Sequence, residues 1–324
     1  MIKQQVARMS VHAKQTSPLH RLKRWLLNDS NLYANLTTGE RDRIDPLRLG
    51  LFLALHLGIA GVLYTGTSMV AVAVCFALYL LRMFFITAFY HRYFSHRTYK
   101  VSRGMQFLFA VAGCTAGQRG PVWWASHHRH HHLSSDQADD PHSPNKGMLE
   151  SHMLWFLKKG HFATRTDKVN DLLRYPELRL VEALHWLPFL LLAITCYYSG
   201  MLLDNLYPAL ETSGPQMLVW GFFISTILLY HGTYTINSLA HRFGSRRYNT
   251  ADDSRNNALL ALLTLGEGWH NNHHRYPAST RQGFFWWEID ISYLILRLMA
   301  TLGLVHDMRP VPVSVIQEAR AKTA

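Results

Sequence analysis

Four apolar runs limit what this chain of 324 residues can fold into: LRLGLFLALHLGIAGVLYTG (47–66), SMVAVAVCFALYLLRMFFITAFY (68–90), VEALHWLPFLLLAITCYYSGMLL (181–203) and PQMLVWGFFISTILLYHGTYTINSLA (215–240). Each matches the ~20-residue helix that crosses ~30 Å of hydrocarbon. The charged face that returns at every turn of a soluble amphipathic helix is nearly missing from all of them. The sequence therefore predicts an all-α integral membrane protein with four transmembrane helices.

Two further apolar stretches fall short of a span. MQFLFAVAGCTAG (105–117) is too brief and Gly-rich, and is expected to lie in the membrane interface or to re-enter it. FFWWEIDISYLILRLMATLGLV (284–305) is long enough, but Glu288, Asp290 and Arg297 mark it as an amphipathic helix along the membrane, with its tryptophans at headgroup level. The first 40 residues are polar and basic without a continuous apolar core, so the first span is expected to act as its own insertion signal.

Orientation follows from Lys and Arg, which favour the cytosolic side. Nine of them precede or open the first span, through Arg48; the link near Gly66 and Thr67 has none, and that from Asp204 to Gly214 carries only Asp204 and Glu211. Both short links then face away from the cytosol. The N-terminal segment (1–46), the stretch from His91 to Leu180 and everything after His241 share the cytosolic side, within a membrane domain of residues 47–305 and a tail of 306–324. A net charge of +12 suits contact with an anionic leaflet. It does not argue for nucleic-acid binding, since no zinc finger, helix-turn-helix or aromatic RNA motif accompanies it. Cys75, Cys114 and Cys196 stand in apolar surroundings without a CxxC pair, which implies neither a disulfide nor a thiolate metal site.

Ten of the twenty histidines fall in three short clusters, HRYFSH (91–96), HHRHHH (127–132) and HNNHH (270–274). The four-span topology delivers all three, and His241 at the end of the fourth span, to one membrane face. His270, His273 and His274 stand at i, i+3 and i+4, one side of a helical turn, and His128, His131 and His132 repeat the spacing. Neutral imidazole suits borderline metals such as iron, zinc and copper. With His91 and His96 added, the nitrogens outnumber the needs of one ion, so the pattern implies a two-metal centre. His127 and His130 fall off the shared face. His12, His20, His56, His152, His185 and His306 stand alone in sequence and are expected to be surface, interface or packing residues.

HRYFSH, HHRHHH, NSLAH (237–241) and GEGWHNNHH (266–274), in this order and spacing from about Pro46 to Val305, resemble the membrane fatty acyl desaturases, and among them the stearoyl-CoA desaturase type. The resemblance implies four spans under a cytosolic helical cap and a non-haem diiron centre that removes two hydrogens from an acyl chain with dioxygen and two electrons. Carried over by position, the iron ligands would be His91, His96, His128, His131, His132, His241, His270, His273 and His274. Asn237, one turn before His241, would reach the second iron through water.

The resemblance also places Gln118, Trp124 and Thr233 at a bend in a substrate tunnel, with Tyr234 where animal members carry Trp. Tyr79 and Met83, on one face of the second span, fall at the tunnel's closed end and would set acyl length. Lys158 and Lys159 sit near the family's basic patch for the CoA phosphates. Ser126 and His127 replace an Arg-Asp pair of animal members, which leaves a lipid-linked acyl chain as an alternative to long-chain acyl-CoA. The implied reaction is a cis double bond, expected at Δ9, on the cytosolic face of a bacterial inner membrane. The chain carries no haem-binding module and no cysteine set for an iron–sulfur cluster. An external ferredoxin, rubredoxin-like protein or b-type cytochrome is therefore expected as electron donor. The rivals fit less well: alkane-type hydroxylases carry Glu inside their histidine boxes, and a metal transporter would need ionisable ligands within its spans.

Overall fold

A computed structural model describes residues 17–321, so His12 lies outside the described residues. Within this range the secondary structure is helical, with isolated β-bridges and no strand. Four helices are long and apolar enough to cross a membrane: Pro46–Thr65, Met69–Ser95, Trp186–Leu206 and Gly214–His241.

Local chemistry explains where each one starts. Asp45 accepts the N–H groups of Leu47 and Arg48 at 3.0 and 3.3 Å, and Pro46 fills a first-turn position whose N–H would have no helical partner. Ser68 caps the second span through the Ala71 N–H at 3.1 Å. Ser213 and Gln216 form a reciprocal capping box at the start of the fourth. The first span stops at Gly66, whose φ of +66° a residue with a side chain rarely adopts.

The two short links meet at one end of the bundle. Thr212 donates its hydroxyl to Ser68 Oγ at 2.7 Å, and Gln216 Nε2 reaches Thr65 O at 2.8 Å. The histidine clusters gather at the other end, as the four-span topology predicts. Arg82 is buried between the second and fourth spans and donates to Ser225 Oγ (2.6 Å) and Thr226 Oγ1 (2.9 Å). Those hydroxyls take the place of water for a charge at membrane depth.

Several boundaries differ from those the sequence predicts, the second span running on to Ser95 rather than 90. The third span begins at Trp186 rather than 181, because Pro176–Ala183 forms a separate helix. Glu182, buried on that helix, accepts the Val122 and Trp123 N–H groups at 2.9 and 3.1 Å and so is held in the cap. The amphipathic stretch 284–305 is helical only over Ile291–Thr301. Asp290 caps Tyr293 N–H at 3.0 Å while pairing with Arg92 at 2.9 Å, which stops the helix from extending back through the tryptophans. Trp286 and Trp287, 84% and 53% exposed, remain available to an interface. The brief apolar piece becomes helix Arg103–Cys114, whose Phe109 stacks on Phe89 with ring centroids 3.6 Å apart.

Candidate metal centre and acyl cavity

The second span changes its winding near its end. Over Phe85–Ser95 it is a π-helix, closing turns from i to i+5, and His96 N–H donates to His91 O at 3.2 Å. In an α-helix, residues five apart point about 140° away from each other. Here the His91 and His96 rings lie 4.8 Å apart. The HxxxxH spacing, which makes no face on an α-helix, makes one on this wider helix.

The other histidines arrive on separate supports. His128, His131 and His132 sit on Pro121–Ser134, whose first N–H groups are held by Glu182. His270, His273 and His274 occupy the short helix His270–Arg275, and His241 ends the fourth span in a tight 3₁₀ turn. The nine histidines sort into two groups. In each, one ring nitrogen per residue lies within 4.8 Å of all the others: His91, His96, His128, His132 and His273 in one, and His131, His241, His270 and His274 in the second. Nε2 contacts of 3.0 Å join His91 to His273, His273 to His132 and His132 to His128, and one of 2.8 Å joins His128 to His96. His241 Nε2 and His270 Nε2 are 3.0 Å apart.

Four carboxylates fix the tautomers, and none of them was among the residues expected from the sequence. Asp140 accepts from His131 Nδ1 at 3.0 Å, Asp136 from His241 Nδ1 at 2.9 Å and Asp252 from His274 Nδ1 at 2.7 Å, while Glu267 pairs with His91 Nδ1. With the proton held on Nδ1, each Nε2 presents a lone pair inward. Burial, and then the neighbouring imidazoles, push His96, His128, His132, His270 and His273 well below the ordinary histidine pKa; His274 is pushed down to about 4, burial outweighing Asp252. Neutral nitrogens crowded at these distances, with a carboxylate behind four of them, are a donor set able to hold metal ions. His127 and His130 instead bond the Trp123 and Asp139 carbonyls, both at 3.0 Å.

A cavity of about 630 Å³ runs up to this centre. Gln118, Trp124, Thr233, Tyr234, Asn237 and His128 line its inner end. Gln118 Nε2 donates to Thr233 Oγ1 at 2.8 Å and Trp124 Nε1 to Gln118 Oε1 at 3.3 Å, so three of the expected wall residues form one bonded chain. A smaller cavity of about 60 Å³ shares the Trp124, His128, Thr233 and Asn237 walls and reaches Met83, His91 and His270. Tyr79 stands one layer behind: its hydroxyl donates to Leu263 O at 2.7 Å, and a Cβ on Gly232 would lie 2.9 Å from both Met83 Cε and Tyr79 Oη. Lys158 is drawn to Glu150 at 2.6 Å, and neither it nor Lys159 lines the cavity.

His56, His152 and His185 do not stand alone in the fold. His56 Nδ1 donates to Phe52 O at 2.8 Å, and its Nε2 meets His231 Nε2 at 3.2 Å; His231 Nδ1 meets His152 Nε2 at 3.0 Å, and His152 Nδ1 meets Ser238 Oγ at 2.9 Å. Sequence gave no sign of this chain, because its members come from the first span, the cap and the fourth span. His185 bonds Glu182 O at 3.0 Å.

Buried cap histidines also make stability depend on pH. Burial, aided by Arg165, pushes His161 down to about 3, and burial aided by Arg119 does the same to His185. Unfolded, both would take up a proton near pH 6.5; folded, they stay neutral until about 3. Their contribution is intact above 6.5 and is lost as pH falls through that window. The thermal midpoint in detergent is expected to be lower at pH 5 than at pH 7, and an equal or higher midpoint at pH 5 would contradict these assignments.

Four helices able to cross a membrane, with two buried histidine groups able to hold metal beside an apolar cavity, are the parts that a membrane oxidoreductase acting on alkyl chains needs. The chain is a member of the fatty acid desaturase family, whose profile matches residues 67–301. It is 40% identical over 230 residues to Delta-9 acyl-lipid desaturase 1 of Arabidopsis thaliana, covering 69% of this chain and 70% of that protein. It is 38% identical over 240 residues to the acyl-CoA C20 Delta5-desaturase of Anemone leveillei, covering 73% of each. It is also 33% identical over 279 residues to the sn-1 stearoyl-lipid 9-desaturase of Anabaena variabilis, covering 85% of this chain and 97% of that protein.

Proposed function

We propose that this fatty acyl desaturase introduces a cis double bond at the Δ9 position of a long-chain acyl group. In this reading His91, His96, His128, His132 and His273 hold one iron ion. His131, His241, His270 and His274 hold a second, which Asn237 reaches through water. The observation that supports it most is the sorting of all nine histidines into a five and a four beside a cavity of acyl character. When bound, the iron pair supplies the oxidant that an unactivated methylene C–H requires, at the cost of dioxygen and two electrons from an external donor.

The chain's own residues do the rest. Asp136, Asp140, Asp252 and Glu267 keep Nδ1 protonated so that Nε2 faces inward. The Gln118–Thr233–Trp124 chain stiffens the wall where the two cavities meet, so a bound chain would be bent there and shielded from water. The proposed orientation keeps this face in the cytosol.

Expression in a host that lacks desaturation, followed by mass spectrometry of its fatty acids, tests the proposal. New cis-monoenes with the bond at C9 are expected, and hydroxylated products without a double bond would overturn it. For the acyl carrier, a lipid-linked chain is a second reading beside acyl-CoA. It is favoured by the engagement of Lys158 with Glu150 and by the Ser126 and His127 side chains, which bond each other and the Trp123 carbonyl.

Met83 lines the small cavity beyond the bend and is fully buried. Met83→Ala should lengthen that end and shift products toward chains two or more carbons longer. Tyr79→Gly is expected to act less, because Met83 and not Tyr79 lines that cavity. An identical product-length profile in Met83→Ala would show that the chain does not end there.

A further inference from the structure

The π-helix that carries His91 and leads into His96 ends in carbonyls that its own backbone does not satisfy. Arg97 and Thr98 turn their N–H groups back to Tyr93 O and Arg92 O, both at 3.0 Å, and Arg97 closes the helix at a left-handed φ of +52°. Phe94 O and Ser95 O are left to other donors. Arg129 supplies them: its Nη2 donates to Phe94 O and its Nε to Ser95 O, both at 2.8 Å. This arginine lies inside HHRHHH, on helix Pro121–Ser134, and directly follows His128.

The rest of the guanidinium is fixed as well. Its Nη1 donates to Lys168 O at 2.8 Å and to Asp171 Oδ1 at 2.7 Å, and its Nη2 reaches Asp171 Oδ2 at 3.0 Å. All five N–H groups of the fork thus have an acceptor, which holds it in one orientation. The Asp171 side chain is 42% exposed and is shared with Arg97 at 3.1 Å, and an ion pair so exposed contributes little by itself. The carbonyl bonds have the more specific effect. Ser95 precedes His96 and Arg129 follows His128, and those two rings meet through their Nε2 atoms at 2.8 Å. The arginine-to-carbonyl bond and the imidazole pair therefore join the same two segments, one residue apart.

We propose that Arg129 is a positioning residue for the iron held by the five-histidine group. By bonding the last carbonyls of the π-helix it ties that segment to the helix of His128 and His132, and so sets how far His91 and His96 stand from the other nitrogens. The inference rests on the reading of these five histidines as the ligands of one ion. Lysine cannot take over, since one ammonium on a flexible stem cannot hold two neighbouring carbonyls and a carboxylate in the plane of a fork. Loosening this end affects one ion only, because His91 and His96 do not belong to the group of His131, His241, His270 and His274.

The test is an anaerobic Fe(II) titration of the stripped full chain, followed by the Mössbauer spectrum of the loaded protein. Wild type should take up two ions; failure to do so would count against the metal reading, independently of Arg129. Arg129→Lys should keep that capacity but bind one of the two ions about 10–100-fold more weakly, with a changed Mössbauer signal for that ion alone. Asp171→Asn removes the ion pair and keeps the carbonyl bonds, so both affinities should stay at their wild-type values. Wild-type affinities in Arg129→Lys, equal weakening of both ions, or a loss as large in Asp171→Asn as in Arg129→Lys would each overturn the proposal. Arg129→Gln, with a single amide in place of the fork, should weaken the same ion, so the proposal remains testable if the lysine variant does not fold.

Discussion

Under the proposed two-iron reading, replacing His241 with alanine is expected to abolish desaturation and to lower bound iron from two ions per chain to about one, with the protein still inserted and folded. The effect is large because His241 supplies one of only four imidazoles in its group, and Asp136 holds its Nδ1 at 2.9 Å. Among the described residues no other histidine belongs to this group of four: His130 bonds Asp139 O, and His142, although its ring centroid lies 4.3 Å from that of His131, groups with His131 and Asp140 instead. The five-histidine group shares no member with this one, so its ion should remain. Iron content by plasma emission, with thermal midpoint as the folding check, decides the matter. His306→Ala, on an exposed site, serves as control; His56 would not, because it bonds His231. Two ions per chain and retained activity in His241→Ala would remove this residue from the ligand set.

Glu267→Gln should weaken iron binding by about 10–100-fold without changing any ligand. Glu267 pairs with His91 Nδ1, receives Arg92 Nη2 at 3.0 Å and accepts Gln282 Nε2 at 2.9 Å. Although burial pushes its carboxyl up, His91 and Arg92 hold it below the usual carboxylate range. An amide keeps the shape but removes the charge. It leaves His91 free to take the wrong tautomer and Arg92 with Asp290 as its remaining carboxylate partner. Iron titration of the stripped protein should show a weaker affinity at full capacity. That separates a positioning role from ligand loss, where capacity falls. Unchanged affinity would show that Glu267 does not position His91.

Much of the fold could be read from the sequence because hydrocarbon imposes a simple rule on helix length and polarity. The histidine boxes were equally legible, since their spacing and the topology bring them to one face. The carboxylates behind them were not. Asp136 and Asp140 follow the second box closely, yet Asp136 serves His241, 105 residues away, and nothing in the local spacing announces that pairing. A weaker signal existed in Glu267, inside GEGWHNNHH, though its partner His91 is on the second span. The pairing of His56 with His231 and His152 was hidden for the same reason. Boundary errors had another source: hydropathy cannot tell that Glu182 and Asp290 are claimed by polar partners and must stay out of the adjoining helices. Lys158 and Lys159 looked available for phosphate because sequence does not show that Lys158 lies against Glu150.

The π-wound end of the second span has a consequence for how this protein can vary. Each widened turn stores length without displacing the helix ends much, so Phe85–Ser95 behaves as an insertion already absorbed. Deleting one residue ahead of His91 could leave a longer, more regular α-helix, by local criteria a better one. It would also turn His91 and His96 about 100° relative to the bundle, carrying their nitrogens away from His128 and His273. Substitutions in this segment are graded in their effect, but changes of length are all-or-none. Among working variants the residue count from Arg82 to His96 should be invariant, even where the identities between them drift.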